Sequence, residues 1–315
     1  MGRRSSRAAQ RDILGLMNRR DFLKIGLASS LLASCDAWKS GGDLGLALGG
    51  GGARGLAHIV MLEVLDELKI RPHRIAGTSI GAVIGTMYAA GLSGREIREL
   101  VDRLTVSENE SWLSGLFEQD LGRWWDLIQL KLGSGGLIDT DAFARYIEET
   151  SGVSRFDQLG IPLQIVAADF WQRGQVVFES GSLGPAIQAS IAIPGLFSPV
   201  QHRGRVMVDG GLVNPVPYDL LFDDCDVVVA IDVSGKRNPQ SEDAPGYFET
   251  LFNTMQIMQA QILHEKMQRR PPHIYIRPEL EDVRVLEFNR VDEIYRQSMP
   301  ARSQLRQALR QRYQI

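Results

Sequence analysis

Two hydrophobic periods alternate along most of this chain. Residues 44–48 form a short apolar run between glycines, which predicts a buried strand. Residues 56–68 place Ile59, Leu62, Leu65 and Leu68 on one helical face, with Glu63, Asp66 and Glu67 elsewhere. A strand over 73–76 turns at Gly77 into a second helix that runs to about Ala90 and stops at Gly91. Further on, the pattern predicts a helix over 141–149, strands over 162–168 and 175–178, and a short helix over 183–189. A strand over 205–208 leads into Asp209-Gly210-Gly211. The run VVVAIDV at 227–233 is the clearest parallel-sheet strand. A long helix over 247–268, a strand over 273–276 and a charged helix from Asp292 follow. Residues 105–137 are less regular. Strands alternating with helices predict an α/β fold with a mostly parallel sheet and helices on both faces.

Composition sharpens this picture at the N-terminus. Residues 1–34 carry seven Lys/Arg and two Asp/Glu, whereas the rest carries 28 against 36. A basic head therefore precedes an acidic body, and an acidic body argues against nucleic acid as a partner. The head, NRRDFLKIGLASSLLASC, has paired Arg19 and Arg20, then an apolar stretch over 25–33. That stretch is far shorter than the roughly 20 residues of a spanning helix. Small residues then lead into Cys35, as in the lipobox of bacterial lipoproteins, and Arg-Arg-x-Phe-Leu-Lys resembles a twin-arginine signal with Asn18 in place of Ser or Thr. The expectation is export, cleavage before Cys35 and lipidation of its thiol, with residues 1–35 as signal and 36–43 as tether. Met17 begins a more typical signal than Met1. Asp36 after the lipidated position points, by resemblance to Gram-negative lipoprotein sorting, to the inner membrane facing the periplasm. The other cysteine, Cys225, reads as a small buried hydrophobe.

Three short motifs carry candidate chemistry in the domain over 44–315. Gly77-Thr78-Ser79-Ile80-Gly81 is a G-x-S-x-G between a strand and a helix, the context of a nucleophile elbow. Ser79 would stand at a helix N-terminus, which favours developing anions. Gly49-Gly50-Gly51-Gly52-Ala53-Arg54-Gly55 fits a dinucleotide fingerprint in its glycines, but the acidic residue expected about 20 positions on is missing. The stretch also lacks the Gly-Lys-Ser/Thr of a P-loop. The reading that remains is an anion hole, in which side-chain-free residues aim amide N–H groups at one oxygen. Arg54 either helps bind a lipid phosphate or fixes the loop through a salt bridge. Asp209-Gly210-Gly211 supplies an acid at a strand end. The five histidines, His58, His73, His202, His264 and His273, follow no catalytic-looking loop. Asp223, Asp224 and Asp226 read as a solvated turn, and no metal is required.

The stretches LALGGGGARGLAH, IAGTSIGAVIG, ASIAIPGLFSPV and VDGGLVNPVPYDL together resemble the bacterial patatin-like phospholipase family, over about residues 44–300 with a motif core over 44–222. The resemblance implies a three-layer α/β/α fold and a Ser-Asp dyad without histidine. Ser79 is then the nucleophile, Asp209 the base, and Gly50, Gly51 and Gly52 with Arg54 the oxyanion loop. Gly55, Gly77, Gly81, Gly210 and Gly211 complete the motifs. The implied substrate is a phospholipid or lysophospholipid, with no cofactor and no nucleotide. Two rivals stand beside it: a Ser-His-Asp hydrolase using His264 or His273, and a lipid-binding lipoprotein without turnover. Hydrolysis and acyl transfer are both open to such a dyad. Residues 112–132, with three of the five tryptophans, read as core packing, as a cap over an acyl groove, or as a membrane contact.

Overall fold

The structure is a computed structural model that describes residues 42–106, 140–236 and 246–315. Met17, Cys35, most of the tether and the tryptophan-rich stretch 112–132 lie outside the described residues. Among the described residues eight strands form one sheet: β1 (Leu44–Leu48), β2 (Arg74–Thr78), β3 (Leu163–Asp169), β4 (Gly174–Phe178), β5 (Val200–His202), β6 (Arg205–Asp209), β7 (Val227–Ile231) and β8 (Ile274–Ile276). Their order is β5-β6-β3-β2-β1-β7-β8, with β4 on β3. The helices are α1 (Ala57–Leu68), α2 (Ile80–Ala90), α3 (Gly94–Val106), α4 (Asp141–Ser151), α5 (Leu183–Ser190), α6 (Tyr247–Arg269) and α7 (Val291–Tyr313).

The two faces of the sheet bury different side chains because strand residues alternate. Leu44, Leu46 and Leu48 of β1 and Val227, Val229 and Ile231 of β7 point to one layer, where they meet α1, α2, α5 and α7. Ala47, Ala76, Val228 and Ala230 point to the other, against Val216, Tyr218, Leu221 and Leu263 of α6. The result is a three-layer α/β/α arrangement in which all five residues of β1 and of β7 are buried. Cys225 is buried beside this second layer.

The central pairings β1–β2, β1–β7, β2–β3 and β7–β8 are parallel. The β3–β4, β3–β6 and β5–β6 pairings are antiparallel. Strand β5 and helix α3 were not expected from the hydrophobic pattern. Helix α3 nevertheless carries a start signal: Ser93 and Glu96 form a capping box, with the Glu96 N–H donating to Ser93 Oγ at 3.2 Å and the Ser93 N–H to Glu96 Oε2 at 2.8 Å. The glycine stretch is also not wholly loop, since Gly52–Leu56 winds into a 3-10 turn. Among the described residues no helix is long and apolar enough to cross a membrane.

Candidate active site

Sheet register brings the serine and the aspartate together. Strand β2 pairs with β3 as far as Thr78 opposite Val166, and there the chain leaves the sheet. The next residue of β3, Ala167, is faced instead by Asp209 at the end of the antiparallel strand β6. Two strands therefore meet head to head along one edge of β3. The side chains at their ends touch: Ser79 Oγ donates to Asp209 Oδ2 at 2.6 Å, and each residue is 6% exposed.

Ser79 sits at φ 55°, ψ −126°, a left-handed conformation that costs a non-glycine residue about 1–3 kcal/mol. That strain is sustained by neighbours that leave no alternative path. A Cβ at Gly81 would overlap the Leu48 carbonyl, and one at Gly77 would overlap Ala82, so α2 starts hard against β1. Gly55 faces Ile80 and Gly210 faces Val166 with as little room. Ser190, fully buried at the end of α5, holds the elbow from below: its hydroxyl accepts from the Ser79 N–H at 2.9 Å and donates to the Val166 carbonyl at 2.6 Å.

Burial pushes the Asp209 carboxyl up to about 6, against the hydrogen bonds from Ser79 and the Gly211 amide, which favour the ionised form. The Gly211 N–H donates to Asp209 Oδ1 at 2.7 Å and so occupies the oxygen that Ser79 does not use. No histidine shares the site. His58 is buried and donates Nε2–H to the Gly49 carbonyl at 2.8 Å, with burial holding its ring down at about 4 and hence neutral. His273 accepts the Val228 N–H, His264 is exposed on α6, and neither touches Ser79 or Asp209. The Ser-His-Asp arrangement using His264 or His273 is therefore not the one built here.

The glycine loop passes over the pair. Of its amides, Gly49 donates to Ile231 O, Gly50 to Pro215 O at 2.9 Å and Ala53 to Val285 O at 2.7 Å. Gly50 is thus a structural member of the loop and not an available donor. Gly51 and Gly52 line the cleft above Ser79 and have no acceptor among the described residues. Arg54 is 5% exposed, and burial lowers its guanidinium to about 10. It donates from Nε to the Gly51 carbonyl at 3.3 Å and from Nη1 to the Ser234 carbonyl. Because C=O and N–H point oppositely across a trans peptide, a guanidinium that holds the Gly51 carbonyl also sets the direction of the Gly52 amide. Arg54 fixes the loop through carbonyls, not through the salt bridge the sequence suggested.

The segment after Asp209 locks all three motifs to one another. Thr78 Oγ1 donates to the Asn214 carbonyl at 2.8 Å, while the adjacent Pro215 carbonyl takes the Gly50 amide. Lys266 of α6 reaches Asn214 Oδ1 and the Val216 carbonyl, the latter at 2.7 Å. Helix α6 also contributes Phe252, Met255, Gln256 and Gln259 to the cleft, opposite Ile193, Pro194 and Leu212. The cleft lies outside the C-terminal ends of the parallel strands, near the point where β1 is followed by α1 on one face and its neighbour β7 by α6 on the other, the usual ligand position of open α/β sheets.

Residues 46–222 match the profile of the patatin-like phospholipase family, more than half of the 315-residue chain. The chain belongs to the patatin-like phospholipase family. An uncharacterized NTE family protein of Mycobacterium bovis is 32% identical over 200 residues, which cover 63% of this chain and 51% of that protein. Lysophospholipase NTE1 of Candida glabrata is 27% identical over 280 residues, 82% of this chain and 16% of the yeast protein. The chain thus spans about half the length of the first relative and far less of the second. Among solved structures, human GIVD cytosolic phospholipase A2 is 12% identical with a TM-score of 0.44, over 95% of this chain and 65% of that one. The family match ends at residue 222, so α6, which closes one side of the cleft, lies beyond it. Ser190 and Asn214 lie within stretches that carry the family resemblance, ASIAIPG and GLVNPVP. They have no local signal of their own, since each acts through a partner distant in sequence.

Proposed function

We propose that this protein is a serine acyl hydrolase of phospholipid or lysophospholipid esters, with Ser79 as nucleophile and Asp209 as its base. The observation that carries this reading is the 2.6 Å hydrogen bond from a strained, elbow-held serine to a buried carboxyl, beneath a loop with two unengaged amides. Ser79 Oγ attacks the ester carbonyl carbon as its proton passes to Asp209 Oδ2. The carbonyl oxygen becomes an anion facing the Gly51 and Gly52 amides. Collapse breaks the C–O bond, Asp209 returns the proton to the leaving alcohol, and water then releases the fatty acid from Ser79 by the same two transfers. The apolar cleft walls Ile193, Leu212, Phe252 and Met255 suit an acyl chain. The fungal relatives named as lysophospholipases favour a lysophospholipid among the candidate substrates. A fluorophosphonate probe is expected to form one covalent adduct on Ser79 of the wild type and none on Ser79→Ala. Wild-type protein that stays unlabelled, or a label mapped elsewhere, overturns the assignment.

We propose further, from the N-terminal sequence, that the protein is held at a membrane. The LASC sequence and the twin-arginine-like run support export and lipidation at Cys35, with the domain facing the periplasm from the inner membrane. Several acyl chains on one cysteine anchor stably where a single chain does not. Cys35→Ser in a Gram-negative host is expected to abolish metabolic palmitate labelling and to release the protein from membranes or block its processing. Labelling that persists in the mutant removes the proposal.

A further inference from the structure

From the turn between β3 and β4 we infer a second, independent membrane contact: an aromatic tip flanked by arginines that seats the cleft on an anionic lipid surface. Among the described residues six large apolar side chains are exposed, and two of them are neighbours here, Phe170 at 47% and Trp171 at 73%. Their rings pack edge to face with centroids 4.8 Å apart, so they form one protruding block.

The turn is built to hold them out. Asp169, 3% exposed, accepts the N–H of Trp171 at 3.1 Å and of Gln172 at 2.8 Å on Oδ1, and its carbonyl accepts the Arg173 N–H at 2.9 Å. The Phe170 N–H donates to Val206 O at 2.8 Å, which joins this turn to β6 and the β5–β6 turn beside it. A side chain that is three-quarters exposed on a braced turn loses nothing by leaving water for an interface. Tryptophan, apolar with one N–H, prefers the boundary between hydrocarbon and headgroup.

Charge and position name the occupant. The two adjoining turns expose Arg173, Arg203 and Arg205, and residues 170–178 and 197–208 contain no Asp or Glu. Arg205 Nε lies 3.7 Å from Asp169 Oδ2, the carboxylate that organises the turn from inside. This is a cationic spot on a body with an excess of acidic residues, so an anionic surface attracts this face and repels the rest. Strand β3 also runs three residues past the point where β2 ends at Thr78, which carries the tip about 10 Å beyond the Ser79 elbow at the same end of the sheet. A membrane touching Trp171 therefore lies on the side from which a lipid ester reaches Ser79. Helix α6, which lines the cleft, exposes Ile257 and Met258 as well.

This inference rests on the acyl hydrolase reading for its purpose but is tested apart from it. The full-length chain carrying Ser79→Ala and Cys35→Ser, which removes the lipid anchor proposed above, is floated with vesicles of phosphatidylglycerol and phosphatidylcholine, with and without Phe170→Ser/Trp171→Ser. The bound fraction is expected to fall about tenfold in the double variant. Arg173→Gln/Arg203→Gln is expected to weaken binding to phosphatidylglycerol vesicles but not to pure phosphatidylcholine, and more at low salt than at high. In the active chain without the anchor (Cys35→Ser with Ser79 intact), Phe170→Ser/Trp171→Ser should lower hydrolysis of vesicle phospholipid about tenfold and leave a short-chain, monomerically dissolved ester untouched. Unchanged flotation of the aromatic variant overturns the inference. So does an equal loss on both substrates, which would make the turn part of the site, or a loss of self-association with vesicle binding intact, which would make the tip a contact between copies.

Discussion

Ser79→Ala and Asp209→Asn are each expected to lower ester hydrolysis by about 10³–10⁴-fold, and the double mutant by little more than either alone. The two side chains share one short hydrogen bond and one proton, so removing either ends the transfer. Asp209 also sets the pH profile. Its carboxyl must be ionised to accept the serine proton, and burial places its titration at about 6, above the ordinary carboxylate range near 3.8. Activity is therefore expected to fall as pH drops through about 6, where an unperturbed aspartate would stay active to about 4. Stability runs the other way. The folded state holds this proton more tightly than the unfolded chain, so the ionised carboxylate costs stability above its folded value, and the cost vanishes below the unfolded one. Asp209→Asn should accordingly melt no lower than wild type at pH 8, with any gain closing toward pH 4. Measured kcat/KM against pH, together with melting curves, separates lost chemistry from lost fold. Near-full turnover by Asp209→Asn is the result that sinks the dyad.

Gly52→Ala is expected to lower the rate of acylation about 10²–10³-fold while substrate binding changes little. Gly52 has φ +58°, where alanine is strained by about 1–2 kcal/mol. More decisively, a Cβ there would overlap the Val285 carbonyl, the acceptor of the Ala53 amide that holds the loop down. The methyl group and the loop cannot both keep their places, so the Gly52 amide turns away from the carbonyl oxygen it would hold. Single-turnover acylation, with thermal melting as the control for folding, measures this. Unchanged acylation, or a loss carried entirely by weaker binding, rejects the oxyanion role. Calorimetry with NAD tests the dinucleotide reading of the glycine run, and tight binding would favour it over the anion hole.

The order of strands and helices was legible because the apolar period switches between strand and helix and because Gly91 and Gly152 end helices in left-handed conformations. The elbow, the glycine loop and the Asp-Gly-Gly end were legible because each is a local stretch of backbone whose residue types are dictated by its own turn. Helix α3 was readable from Ser93 and Glu96, although its apolar positions alone did not announce it.

Tertiary structure decided what the local pattern cannot encode. Ser79 and Asp209 are 130 residues apart and meet because an antiparallel strand takes over the edge of β3 where β2 leaves it, a matter of sheet register. Gly50 gives up its amide because Pro215 arrives from the segment after Asp209. Arg54 reaches Gly51 and Ser234 carbonyls because β7 ends beside β1. Gly52 must lack a side chain because Val285, more than 200 positions away, sits where its Cβ would be. By itself the sequence determined the residues able to do the chemistry and the turns that present them. Which amides stay free, how far the carboxyl is buried and which apolar side chains stay exposed depend on contacts between distant segments, and those exist only once the sheet has assembled.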